Sequence, residues 1–168
     1  MATILATTVT CVYADTSHPA PEGSHKNAYF TQAEAATDLI NYALSLVGVH
    51  YRFGGDRPAT GLDCSGLVKV VFHHVDNILL PHNARLLSHE GEPVNIHQLR
   101  PGDLLFFHMI RHAINHVGIY IGHNQFIHAP GIGQPVQVAS LHNSFWMRHF
   151  GGARRILDTA SINNDKLR

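Results

Sequence analysis

The chain has little of three features that mark common protein classes: cysteine, net charge and long apolar runs. Its 168 residues include only two cysteines, Cys11 and Cys64, so neither a disulfide framework nor a cysteine-rich metal site can be built. Lysine plus arginine and aspartate plus glutamate balance at 12 each. This leaves no basic surface for nucleic acid, so we expect no nucleic-acid partner. Outside residues 1–14, no stretch is apolar enough for a membrane-spanning helix.

The remaining composition is that of one globular domain with many histidines. Hydrophobic residues make up 45% and charged residues 14% of the chain, a balance that argues against a disordered protein. The chain is long enough for one domain with a real core. The 15 histidines make the net charge rise as pH falls below about 6.5, the reference imidazole pKa.

Both ends of the chain differ in composition from the part between them. Residues 1–14 resemble a secretory signal peptide with small residues before a cleavage point at Ala14, although the positive start is missing. An ordinary first strand is the other interpretation. Residues 15–30 are rich in proline, glycine and serine and predict a linker or arm. We therefore divide the chain into a signal segment with an arm (1–30), one domain (31–158) and a frayed tail (159–168).

Hydrophobic periodicity predicts helices in the first half of the chain and strands in the second. Thr31-Gln32-Ala33-Glu34 is a capping box, and the run after it has helical spacing up to a stop at Gly48. A second helix is predicted from Cys64 to His74 and a short one from Ala84 to His89. Helices followed by strands indicate an α+β fold. The predicted strands are Leu104–Phe107, Val117–Ile121, Gln125–His128, Val136–Ala139 and Ala153–Leu157.

The most informative residue is Cys64, which lies between a glycine-punctuated loop and the second predicted helix. A thiol at a helix N-terminus lies at the positive end of the helix macrodipole, which favours the nucleophilic thiolate. The alternative is a small buried core residue. Polar neighbours, Asp63 and Ser65, and the bracketing Gly61 and Gly66 favour catalysis over that alternative. We therefore predict that Cys64 is a catalytic nucleophile.

Two histidines downstream complete a candidate catalytic set. His116 opens a strongly β run and is the candidate general base, and His128 ends a later strand and is the candidate that orients the base. A competing pattern is His108, His112 and His116, which on one helix would share a face and bind a transition metal. Strand-like residues on both sides break the helical period that such a site needs. A histidine-rich metal-binding protein is therefore the remote alternative.

Taken in order, six segments resemble those of the NlpC-type peptidoglycan endopeptidases, the papain-like cysteine peptidases of bacterial cell walls. The resemblance covers residues 39–157, and each segment is weak alone while the ordered set is specific. Two departures put substrate preference in question: a slightly longer loop before Cys64 and the histidine-rich stretch 108–115. The six segments are Tyr51–Gly55, Leu62–Leu67, Leu99–Phe107, His116–Gly122, Phe126–Ala129 and Gly152–Arg155.

This resemblance implies a fold and a mechanism. The fold is papain-like α+β, with N-terminal helices packed on a central, mostly antiparallel, five- to six-stranded sheet. Cys64 is implied as the nucleophile, His116 as the general base and His128 as the polar residue that orients it. Neither a cofactor nor a metal is implied.

The resemblance also implies a substrate and the residues that bind it. Tyr51 is expected near the oxyanion pocket, and Asp63 and Ser65 are expected to contact the free amine of a stem peptide. Peptidoglycan stem peptides are the implied substrate, cut between D-glutamate and a diamino acid such as meso-diaminopimelate. A periplasmic or secreted monomer is expected, and the sequence identifies no inhibitor or immunity protein. An amidase or acyltransferase on the same scaffold is the alternative, and an inactive muropeptide-binding relative is a weaker one.

Overall fold

The computed structural model describes residues 24–109 and 113–157. Helices come first and most of the sheet afterwards, as predicted for an α+β chain. The helices are α1 (Ser24–Ser45), α2 (Cys64–Asp76), α3 (Ala84–Leu87) and α4 (Ser144–His149), with a 3-10 turn at Ile96–Gln98. The strands are β1 (Asp56–Arg57), β2 (Gly61–Leu62), β3 (Glu92–Val94), β4 (Leu104–Phe107), β5 (His116–Gly122), β6 (Gln125–His128), β7 (Gln137–Ser140) and β8 (Phe150–Arg155). Within the described ranges, no helix has the length and apolar character needed to cross a membrane.

Helix α1 begins earlier than its sequence predicts. The capping box at Thr31 predicts the helix start, but the helix already runs from Ser24, so that start is wrong. No proline lies between Ser24 and Thr31, and nothing local therefore prevents the helix from extending toward the N-terminus. The buried face of α1, with Leu39 and Ala43, packs into the main hydrophobic cluster, and Leu46, just after the helix, joins it there.

Helix α2 is defined at both ends by caps. Asp63 has extended backbone dihedrals and accepts a hydrogen bond from the Gly66 N–H, as an N-cap does. Asn77 ends the helix in the left-handed conformation, at φ 55°, and its N–H donates to the His73 carbonyl. The β-branched residues in this run also suit a strand, and the caps decide in favour of the helix. The buried face consists of Leu67, Val68, Val71 and Phe72.

Six strands form one antiparallel sheet in the order β3-β8-β4-β5-β6-β7. This confirms the predicted papain-like arrangement of helices on a mostly antiparallel sheet. The last predicted strand is displaced, because β8 begins at Phe150 rather than at Ala153. The two glycines at 151 and 152, which look like turn residues, instead lie inside β8, where the register with β4 shifts beside Phe107.

Successive side chains of β4 point to opposite faces of the sheet and pack into two separate hydrophobic clusters. Leu104 and Phe106 join the cluster formed with α1 and α2. Leu105 and Phe107 join a second cluster on the other face, against Phe126 and Trp146. The sheet is therefore buried on both faces near the start of β5, where the candidate catalytic histidine lies.

Candidate active site

Cys64 is the first residue of α2, and the helix end places its thiol against the start of β5. The backbone N–H groups of Val117, Ser65 and Cys64 itself interact with the sulfur and act to lower its pKa. Because Val117 directly follows His116 in β5, the predicted nucleophile and the predicted base meet at this point of the sheet. The cysteine is free.

The carboxylate of Asp63 is the centre of the loop that holds Cys64. Its Oδ1 accepts hydrogen bonds from the Gly66 N–H at 2.7 Å and the Ser65 hydroxyl at 3.0 Å, and lies 3.0 Å from Nε2 of His82. Its Oδ2 accepts one hydrogen bond, from the Gly54 N–H at 3.0 Å. Asp63 therefore ties the helix start to two other loops. No sequence motif points to His82, which lies 19 positions away and is brought to the site by the turn after α2.

Two glycines let the loop before Cys64 approach the helix. A Cβ added at Gly66 would overlap the carbonyl oxygen of Gly55, so only a residue without a side chain fits there. The same Gly55 carbonyl accepts a hydrogen bond from the Asp63 N–H at 3.0 Å. Gly66, one of the two glycines that bracket Cys64 in the sequence, thus serves close packing, which fixes the position of the thiol.

Tyr51 lies beside the nucleophile. Its backbone forms a parallel bridge with Leu62, two residues before Cys64. Burial raises the pKa of the Tyr51 phenol, and the neighbouring Cys64 and Asp63 raise it further. The hydroxyl is therefore protonated at neutral pH and remains a hydrogen-bond donor next to the thiol.

His116 and His128 are joined directly. Nε2 of His116 lies 2.9 Å from Nδ1 of His128, and both residues are almost fully buried, at 5% and 0% exposure. Because Nε2 of His116 is engaged, Nδ1 is the ring nitrogen that remains available as a base. The other nitrogen of His128, Nε2, is buried and has no hydrogen-bond partner within the described part of the chain.

Burial dominates the protonation of these groups. It raises the pKa of the Cys64 thiol to about 11, although the backbone N–H groups act in the opposite direction. It lowers the pKa of His116 to about 4 and, together with the neighbouring His116, lowers that of His128 to about 3. The expected lowering of the Cys64 pKa by the helix terminus is therefore outweighed by desolvation. At neutral pH the site therefore holds a neutral thiol near neutral imidazoles.

Trp146 of α4 covers both imidazoles and has no counterpart in the sequence-based prediction. Its ring stacks on His116 with centroids 5.8 Å apart and lies perpendicular to His128 at 4.8 Å. The only sequence signal for α4 is the capping residue Asn143, whose side chain accepts from the Phe145 N–H at 2.8 Å. Helix α4 has six residues, too short for its periodicity to be recognised.

The histidine-rich stretch does not form the helix that a metal site would need. Phe107 ends β4 and His116 opens β5, paired with each other in the antiparallel register. His112 lies outside the described residues. Among residues 24–109 and 113–157, no three histidine, cysteine or acidic side chains are close enough to hold a metal ion.

Comparison with known proteins identifies a family. A model of the NlpC/P60 family matches residues 48–155. Murein DD-endopeptidase MepH of Escherichia coli (strain K12) is 37% identical over 147 residues, covering 85% of this chain and 54% of that protein. Gamma-DL-glutamyl hydrolase of Bacillus subtilis (strain 168) is 36% identical over 124 residues, covering 73% of this chain and 30% of that protein.

Solved structures agree with the family model. An NlpC/P60 family protein from Bacillus cereus ATCC 10987 has a TM-score of 0.69 at 31% identity, covering 73% of this chain and 40% of that chain. This chain spans about half or less of the length of the relatives named above. The family model matches more than half of the chain and includes all six predicted site residues. The chain therefore belongs to the NlpC/P60 family, as its motifs predict.

Proposed function

We propose that this protein is a cysteine endopeptidase that hydrolyses peptidoglycan stem peptides, with Cys64 as nucleophile, His116 as general base and His128 as the residue that orients it. One observation carries the proposal. The thiol at the start of α2 meets the start of β5, where His116 is held by a 2.9 Å hydrogen bond to His128. A nucleophile, a base and a group that fixes the base are the three parts that acyl transfer requires.

The mechanism begins with transfer of the thiol proton to Nδ1 of His116. The sulfur attacks the amide carbonyl and forms a tetrahedral intermediate, and we expect the Cys64 backbone N–H and the Tyr51 hydroxyl to stabilise its oxyanion. His116 then returns the proton to the leaving amine, and a thioester remains on Cys64. Water, deprotonated by His116, hydrolyses the thioester and restores the thiol.

The hydrogen bond between the two histidines serves this proton transfer. When His116 accepts a proton at Nδ1, both of its ring nitrogens carry hydrogen, and Nε2–H must donate. Nδ1 of His128 is the acceptor at 2.9 Å, so His128 carries its own hydrogen on Nε2. The same tautomer of His128 suits the neutral and the protonated states of His116. No reorganisation of His128 is needed during the reaction.

The names of relatives support the substrate class. One relative is a murein DD-endopeptidase and another a gamma-DL-glutamyl hydrolase, so both act on amide bonds involving D-amino acids. For this chain we propose the bond between D-glutamate and a diamino acid such as meso-diaminopimelate. We also propose that it acts as a monomer in the periplasm or outside the cell, where peptidoglycan is found.

Asp63 and Ser65 are the proposed contacts to a free substrate amine. Oδ1 of Asp63 already has three neighbouring donors, whereas Oδ2 accepts from the Gly54 N–H alone among the residues that the structure describes. A carboxylate oxygen has room for a further donor, and an ammonium group supplies one. The Ser65 hydroxyl donates to Asp63, so its oxygen lone pairs remain as acceptors.

Mass analysis of a peptidoglycan digest tests the proposal. Purified peptidoglycan containing meso-diaminopimelate is incubated with the wild-type protein and, as a control, with Cys64→Ala. The expected products have intact glycan strands and new ends at D-glutamate and at the diamino acid amine. New ends between two D-residues at a cross-link would overturn the bond assigned here. New ends between muramic acid and L-alanine would instead identify the amidase alternative on the same scaffold.

A further inference from the structure

We propose that Trp146 is a positioning residue, which holds the His116–His128 pair in register for proton transfer and keeps water from it. The proposal rests on the catalytic function proposed above for these histidines. It concerns a residue on α4, outside the segments that carry the predicted site. One indole ring contacts both imidazoles.

The three rings fix one another through two different contacts. The indole lies nearly parallel to His116, at an interplanar angle of 23°. It lies nearly perpendicular to His128, at 86°, and the two imidazoles are themselves perpendicular at 85°. A rotation of either imidazole about its Cβ–Cγ bond would therefore collide with or leave the indole. The 2.9 Å hydrogen bond between Nε2 and Nδ1 requires that neither ring rotates.

Trp146 also packs against two phenylalanines of the sheet. Its ring contacts Phe107 and Phe126 edge-on, with centroids 5.0 and 5.1 Å apart. These two phenylalanines are fully buried in β4 and β6, the strands on either side of β5. Aromatic pairs with this geometry contribute beyond the area that they bury. The indole thus joins the rigid sheet to the face of the catalytic pair.

The indole also packs against His128, whose burial keeps it uncharged. Nε2 of His128 is buried without a hydrogen-bond partner among the described residues, and the proposed mechanism places a hydrogen there. A protonated His128 would carry hydrogen on Nδ1 as well and could no longer accept from His116. Packing an indole against the ring limits the access of water to it and so disfavours this charged form.

Among residues 24–109 and 113–157, few other titratable groups lie near the pair. Cys64 begins α2 and is a neutral thiol in the free site. His149 of α4 is engaged within its own helix, with Nδ1 at 2.7 Å from the Phe145 carbonyl. His108, after β4, lies against Gly151 of β8. Burial is therefore the main cause of the low pKa of both imidazoles, and Trp146 is part of the cover that produces it.

The test compares Trp146→Ala, Trp146→Phe and Met147→Ala. Met147 is the matched control, because it is on the same helix, is 46% exposed and is apolar. The imidazole resonances of His116 and His128 are titrated by NMR, and kcat and KM are measured on a stem peptide. Alkylation of Cys64 by iodoacetamide is followed at its own peptide, so that Cys11 does not contribute. Thermal unfolding shows whether each variant folds, and Trp146→Leu is used if Trp146→Ala does not.

In Trp146→Ala we expect the imidazole titrations to move up by about one unit or more toward 6.5, because water reaches the rings. We expect kcat to fall at least about tenfold with little change in KM, because a small displacement of a reacting group is costly. Trp146→Phe should recover most of both properties, and Met147→Ala should match the wild type.

Wild-type titrations and kcat in a folded Trp146→Ala protein would overturn the proposal. Loss of stability alone, with unchanged titrations, would overturn it too, because the indole would then be only a packing residue. The NMR and alkylation measurements need no substrate. If the titrations move but no stem peptide is cut by the wild type, the proposed function fails and the role of Trp146 in holding the histidine pair stands.

Discussion

Replacement of Asp63 by asparagine should lower the free energy of unfolding, apart from any effect on substrate binding. Asparagine is also a good N-cap, so its oxygen keeps the hydrogen bond from the Gly66 N–H. Its NH2 group takes the place of Oδ2 and faces the Gly54 N–H, so two donors meet. The remaining bonds, to Ser65 and His82, lose the charge that strengthens them.

The size of the effect follows from these contacts. Hydrogen bonds to charged groups contribute about 1.5–3 kcal/mol, and neutral ones about 0.5–1.5 kcal/mol. One bond lost, from Gly54, and two weakened, from Ser65 and His82, give a fall of at least about 2 kcal/mol in the free energy of unfolding for Asp63→Asn. Asp63→Ala also removes the cap, for about 1 kcal/mol more.

Urea unfolding of the wild type, Asp63→Asn and Asp56→Asn measures this fall. Asp56→Asn is the matched control, since the Asp56 carboxylate pairs with Lys69 at 2.8 Å and both side chains are well exposed. Such exposed pairs contribute little, so this variant should unfold almost as the wild type does. If Asp63→Asn is no less stable than Asp56→Asn, the hydrogen-bond network around Cys64 does not support the fold as argued here. If Asp63→Asn loses activity on peptides with a free amine but keeps it on acylated peptides, Asp63 also makes the proposed contact to the substrate amine.

Three further predictions concern the base, the pH dependence and metals. His116→Ala should reduce turnover at least about a hundredfold, the lower end for removal of a general base, whereas the exposed His142→Ala should change little; equal rates would mean that the base is another group. The pKa of folded His116 is about 4 and that of an unfolded histidine about 6.5, so this residue alone should lower the free energy of unfolding by about 3 kcal/mol between pH 6.5 and 4. The lowered pKa of His128 adds to that fall, and a flat profile, measured by urea unfolding at each pH, would contradict the burial of these imidazoles. Hydrolysis should survive EDTA and be abolished by iodoacetamide, and loss on chelation with rescue by zinc would favour the metal-binding alternative.

Local sequence signals predicted the elements that carry the chemistry. The run from Cys64 has an N-cap before it and an apolar helical face, and α2 begins at Cys64 as predicted. The strands at Leu104–Phe107 and Gln125–His128 have the predicted bounds, because apolar runs with turn residues on both sides define them. The ordered motifs were enough to identify the family.

These local signals could not predict contacts between segments that are far apart in the sequence. Trp146 lies on His116 because β5 and α4 are brought together by a sheet whose strand order no periodicity encodes. His82 reaches Asp63 from the other end of α2. The pKa of Cys64 also depends on how deeply the finished fold buries it, and burial outweighed the helix terminus that the sequence indicated. The role of each site residue in catalysis stays a prediction.

The two cysteines of this chain allow the most direct test of the mechanism. Cys64→Ala and Cys11→Ala are each incubated with purified peptidoglycan, and the release of soluble stem peptides is measured beside the wild type, with circular dichroism to confirm folding. If Cys64 is the nucleophile, folded Cys64→Ala releases no stem peptides and Cys11→Ala releases them as the wild type does. Release at the wild-type rate by folded Cys64→Ala would contradict the central claim that this thiol is the nucleophile.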